Sequence, residues 1–153
     1  MTKEIVTVFA DGAARGNPGP ASCGVVLRFS HQTYHLGFYL GETTNNVAEY
    51  QAVIAALTWL HQFKFSEQIE IRPVRIDLHL DSELVIRQLS GEYRVKANNL
   101  KQLHLKIKTL EMELEVPVVY IFVRREKNQL ADRLANEVLD LAEQITTRNL
   151  SSF

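Results

Sequence analysis

Residues 4–41 read EIVTVFADGAARGNPGPASCGVVLRFSHQTYHLGFYLG. β-Branched and aromatic residues fill 4–10 and give way at Asp11 to a run dense in Gly and Pro, the pattern of a strand entering a tight turn. CGVVLRFS (23–30) and TYHLGFYLG (33–41) are two more strand-like runs, separated by only His31 and Gln32, which predicts a hairpin. The chain is therefore expected to begin with three antiparallel strands. Beyond them the period changes. NNVAEYQAVIAALTWL (45–60) is apolar at helical spacing on one side through Val47, Tyr50, Ile54 and Leu57 and on another through Val53, Ala56 and Leu60, so a buried helix is predicted from about residue 46 to 61.

A polar connection at 64–73 leads to the alternating strand VRIDLHLD (74–81), with Pro73 marking its start. SELVIRQLSG (82–91) is a short helix ended by Gly91, and NNLKQLHLKIKTLEMEL (98–114) a longer one with Leu100, Leu103, Ile107 and Leu110 on one face. PVVYIFV (117–123) is a last strand. NQLADRLANEVLDLAEQI (128–145) is a last helix with Leu130, Leu134, Val138 and Leu141 on one face. The order βββαβααβα predicts an α/β fold with a mixed five-stranded sheet, an antiparallel three-stranded meander plus parallel strands, and helices on both faces.

With 153 residues, 46% of them hydrophobic, the chain matches one domain of roughly 100–200 residues, expected over residues 1–145 with a frayed tail at 146–153. Lys and Arg total 17 against 18 Asp and Glu, so a net charge of -1 excludes a global pull toward polyanions; any such site must be a local patch. The lone Cys23 forms no internal disulfide and reads as a packed strand residue. The opening residues lack the charged-then-apolar pattern of a signal peptide, and no apolar run approaches the ~18 residues of a membrane span, so a cytoplasmic protein with no membrane association is expected.

Glu49 is the one charge in residues 45–60. Burying an unpaired carboxylate costs several kcal/mol even after relaxation, so it needs a partner or an opening. It also has a plain reading, as the return half of a capping box from Asn46. Asp11 and Asp81 stand where strands are expected to end, which is where crevices form in such sheets, and equally where turns and N-caps use Asp. Asp132 lies in the first turns of the last helix, a position the helix dipole favours on its own. Together, four acids at the mouth ends of different elements suggest one cluster. Two carboxylates ~5 Å apart repel by about 3 kcal/mol at an effective dielectric of 20, so four require cations. All-oxygen ligands select hard ions, Mg²⁺ or Mn²⁺, and a pair of these suits phosphodiester hydrolysis.

DGAARGNPGPA, TTNNVAEYQA, LDSELVIRQLSGEYRVK and VRREKNQLADRLAN, in this order, resemble the motifs of type 1 ribonuclease H in its compact archaeal and bacterial single-domain form. The resemblance runs from about Val6 to Asn136. It implies the ribonuclease H-like fold and endonucleolytic cleavage of the RNA strand of an RNA/DNA hybrid, leaving a 5′-phosphate and a 3′-hydroxyl, with two Mg²⁺ or Mn²⁺ ions present when substrate is bound. By position it implies that Asp11, Glu49, Asp81 and Asp132 are the catalytic metal ligands. Gly12, Asn17, Asn45 and Asn46 match positions that touch the hybrid's sugars and bases, and Thr44 one that grips a DNA phosphate. Amides and backbone groups suit a 2′-hydroxyl, which both donates and accepts; the same residues also serve as turn and cap residues.

The sequence departs from many bacterial relatives in three places. The loop before Asp132 is short and lacks their histidine; Arg125 matches a basic residue of compact relatives, implying a contact near the leaving product or a phosphate, and stands against a surface charge paired with Glu126. Glu83 replaces a common Gln. No basic handle follows Tyr93, although Arg87, Arg94, Lys96, Lys101, Lys106 and Lys108 are opposed there only by Glu92. The five histidines show no ligand spacing. A monomer acting on RNA/DNA hybrid, with double-stranded RNA an open second substrate, is the leading expectation. A catalytically silent hybrid or duplex-RNA binding module of the same fold is the alternative. An aspartyl phosphotransferase using Asp11 is disfavoured because Ala13 stands where a second aspartate is wanted.

Overall fold

The computed structural model describes residues 2–64 and 71–151. Most of the polar connection expected at 64–73 falls on residues 65–70, outside the described residues. β1 (Thr2–Ala14), β2 (Gly19–Arg28) and β3 (Thr33–Thr43) form the antiparallel meander, followed by α1 (Asn45–Lys64), β4 (Ile71–Leu80), α2 (Glu83–Leu89), α3 (Asn98–Leu114), β5 (Val118–Phe122) and α4 (Gln129–Ser151). The sheet order is β3-β2-β1-β4-β5, with β4 and β5 parallel to β1. Element order and mixed sheet are as the periodicity predicts.

α1 is buried because it is sandwiched, packing on β1 and β2 and beneath α3. Ala48, Ala52, Val53, Ala56, Leu57 and Leu60 are all inaccessible or nearly so, and each fully buried Val or Leu contributes roughly 1.5–3 kcal/mol. Cys23 lies in this core, as expected, and burial pushes its thiol up to about 12.

The structure sets four local details beyond the sequence reading. β1 does not stop at Asp11 but pairs with β2 as far as Ala14. Pro73 does not begin β4 but lies inside it, at a register shift where Glu4 pairs Pro73 and Ile5 pairs Arg75; β5 pairs only from Ile76 onward, so the missing N–H breaks no ladder bond there. Asn46 does not cap α1. Thr44 does, its Oγ1 accepting from the Val47 N–H at 3.2 Å, which puts Glu49 out of capping-box register. On α4 Ala131, Ala135 and Leu139 are buried among the described residues and Leu134 and Val138 lie against Gly24 and Gly37 of the sheet, whereas Leu141 is exposed. Backbone proximity brings the alanines in: a Cβ on Gly24 would overlap the Ala131 carbonyl. α4 continues to Ser151, and residues 152 and 153 lie outside the described residues.

Candidate active site

β4 pairs with β1 only as far as Phe9–His79, while β1 runs on beside β2. Asp11 thus stands two residues beyond the point where its parallel neighbour ends, at the edge of a crevice. Asp81 follows the last residue of β4, and Ser82 caps α2 by accepting from the Val85 N–H at 3.4 Å. Glu49 is delivered by the second turn of α1. That approach depends on Gly12, where a Cβ would overlap the Ala48 and Glu49 backbone.

Ligand oxygens of Asp11, Glu49 and Asp81 lie within 4.8 Å of one another, and the first two residues are buried. Burial, and then the charges of Glu49 and Asp81, push the Asp11 carboxyl well above the ordinary carboxylate range. Burial also raises Glu49, with Asp81 next; hydrogen bonds with Asp11 and the Gly12 N–H, and the charge of Arg125, oppose the shift. At this separation each ionised pair repels by about 3–4 kcal/mol at an effective dielectric of 20. Glu49 Oε2 is moreover buried with no hydrogen-bond partner. An orphaned carboxylate oxygen beside two others is a donor set that fits a hard divalent cation, and the residues present accommodate one.

The surrounding cavity, of about 430 Å³, is lined by Gly12, Asn45, Asn46, Ser82, Arg125, Asp132 and Asn136 besides the three acids. Asp132 is outside the 4.8 Å group but lines the same cavity and helps raise the Asp11 carboxyl. All four acids singled out in the sequence therefore meet at one mouth. Of the substrate-contact candidates, Gly12, Asn45 and Asn46 line the cavity, whereas Asn17 and Thr44 are engaged in building α1: Asn17 Oδ1 accepts from the Asn45 N–H at 3.1 Å. Glu83 is turned to Arg87, at 2.8 Å, and does not line the cavity.

Two residues escaped the sequence reading. Asn128 is buried, and its amide donates to the Ala10 carbonyl at 2.9 Å and to Asp81 Oδ2 at 3.4 Å, tying Asp81 to β1. Asn136 donates to the Asp132 backbone carbonyl at 3.0 Å and to its Oδ1 at 3.2 Å. Its spacing of four from Asp132 is the one signal that marked it.

The basic stretch after α2 is weaker than its composition suggests. Arg87 pairs with both Glu83 and Glu92, and Lys108 pairs with Glu111 and donates to the Leu89 carbonyl. His79 and His104 are hydrogen-bonded to backbone carbonyls, and neither contributes to the acidic group. Among the described residues no helix is long and apolar enough to cross a membrane.

The model of a family described as reverse transcriptase-like matches residues 9–138. The bifunctional protein Rv2228c of Mycobacterium tuberculosis is 35% identical over 142 residues, 91% of this chain but 36% of that protein. The chain thus spans about a third of that relative. Ribonuclease H of Erythrobacter litoralis is 32% identical over 149 residues, covering 89% of this chain and 96% of that protein. The crystal structure of LC11-RNase H1 in complex with RNA/DNA hybrid superposes with a TM-score of 0.81 at 41% identity, covering 90% of this chain and 98% of that one.

Proposed function

Because the chain belongs to the type 1 ribonuclease H family, we propose that it cuts the RNA strand of an RNA/DNA hybrid internally by metal-dependent hydrolysis, leaving a 5′-phosphate and a 3′-hydroxyl. The observation that carries this reading is the mutual approach of Asp11, Glu49 and Asp81 around the partnerless Glu49 oxygen. With Asp132 they are the residues that would hold Mg²⁺ or Mn²⁺, and a pair of such cations would supply charge stabilisation for an attacking water and a leaving oxygen. Burial and the neighbouring acids favour the protonated forms of Asp11 and Glu49, so cation ligation would be coupled to proton release. Asn128 keeps the Asp81 carboxylate aimed at the mouth. Gly12, Asn45 and Asn46 offer backbone and amide groups to the 2′-hydroxyls, the chemical difference between RNA and DNA. Asn17 and Thr44 act through α1, fixing the turn that presents both amides. Arg125 supplies the cation at the mouth, next to the departing phosphate.

One chain supplies all four acids, so a monomer suffices, and we take its location as cytoplasmic. The domain is taken as residues 1–145. Incubation with end-labelled RNA/DNA hybrid, duplex RNA and duplex DNA, with Mg²⁺, Mn²⁺ or chelator, is the test. Cuts are expected in the RNA of the hybrid, only with metal, and none with Asp81→Asn. Full activity of that variant would refute the site, and tight hybrid binding without cleavage would make the chain a silent binding module. Cleavage of duplex RNA would extend the substrate class without changing the site.

A further inference from the structure

Beyond the acids, the turn after β1 and the outer face of α4 share a ladder of polar contacts that ends on Asp132. Asp132, Asn136 and Asp140 are spaced four apart, so they stack along one face of α4. Arg15, anchored by its N–H to the Pro20 carbonyl at 2.9 Å, lies alongside. Its guanidinium donates to Asp140 Oδ1 and to Glu143 Oε1, both at 2.7 Å, and Nη2 also reaches the Asn136 backbone carbonyl and Oδ1, each at 3.4 Å. Asn136 Nδ2 in turn meets Asp132 Oδ1 at 3.2 Å.

An amide has two ends of opposite polarity. With Oδ1 facing the guanidinium, Nδ2 must face Asp132; the flipped amide would set donor against donor at Arg15 and oxygen against oxygen at Asp132. The 3.4 Å contacts are long, so their effect is on orientation rather than on strength. Asp140 and Glu143 hold the planar fork in place from its outer side.

We propose that Arg15 and Asn136 are positioning residues for cation binding: Arg15 orients the Asn136 amide, which holds one Asp132 oxygen and leaves the other for metal. The inference rests on the proposed metal site. Partners one shell out from a ligand commonly change metal affinity about 10–100-fold. Arg15→Met and Asn136→Ala are each expected to weaken Mn²⁺ binding about 10-fold, the low end of that range, measured by titration calorimetry on substrate-free protein. The Mg²⁺ concentration giving half-maximal hybrid cleavage should rise in parallel, while the rate at saturating Mg²⁺ changes less. Melting in chelator is measured for both variants, because a purely structural role lowers it and leaves the metal dependence in place.

In an Asp132→Asn background Arg15→Met should produce no further loss of Mn²⁺ affinity. Arg15→Lys, which keeps the charge but not the planar fork, should not recover binding. Unchanged Mn²⁺ affinity in both single variants overturns the inference, as does full recovery in Arg15→Lys. Absence of Mn²⁺ binding by the unaltered protein overturns the metal reading of the site itself, a result distinguishable from the first.

Discussion

The first turns of α1 carry Asn45, Asn46 and Glu49 into the acidic cavity; three turns on, Trp59 and Phe63 stack with ring centroids 4.9 Å apart, and Phe29 and Tyr34 close on them at 4.6 and 4.7 Å. One helix thus has a mouth end that keeps a buried, repelling carboxylate and a far end made of aromatic and aliphatic contacts. The mouth end is poor for stability and good for binding a cation, because unsatisfied charge is what the cation relieves. The far end contributes the burial that lets the strained end persist. Chemistry and stability are separated along a single element rather than between domains.

Exchanging the charge at the mouth is the largest way to break this contrast. Glu49→Gln is expected to abolish metal-dependent cleavage and yet to raise the melting temperature in chelator at neutral pH. The pH dependence gives the sign. Folded Asp11 and Glu49 have pKa values raised by burial and by neighbouring acids, so above the ordinary carboxylate value of about 4.5 the folded state holds protons that the unfolded chain has released. Metal-free stability should fall as pH rises from there, less steeply in Glu49→Gln, and Mg²⁺ should stabilise more at high pH than at low. A wild-type stability that climbs through neutral pH in chelator would contradict the raised values.

At the other end, Leu57→Ala removes a fully buried side chain and should cost about 2–5 kcal/mol in denaturant unfolding, with cleavage per folded molecule unchanged. Loss of activity at preserved fold would show that the two ends are not separable. The smallest effect belongs to the joint: Thr44→Ala removes the cap and should cost about 1 kcal/mol, and because the cap presents Asn45 and Asn46 it should raise KM for hybrid more than it lowers kcat.

No acid was decisive individually, since each also reads as a cap, a turn residue or a charge favoured by a helix dipole; only the four together pointed to one site. Their meeting was only inferred from the sum. Asn128 and Asn136 were not legible, because an Asn before or within a helix looks the same whether it faces water or a carboxylate. The basic run near α2 misled in the opposite direction: Glu83 and Glu111, just outside the run and one helical turn from Arg87 and Lys108, pair with them.

Periodicity and residue type were enough to set the element order and the buried helix, since each is a property of neighbours along the chain. Which alanines of α4 touch the sheet, where β4 lets go of β1, and which amide steers Asp132 were decided only on folding. Those depend on how closely two backbones approach, and glycines at positions 12 and 24 set that distance against partners more than thirty and a hundred residues away, respectively.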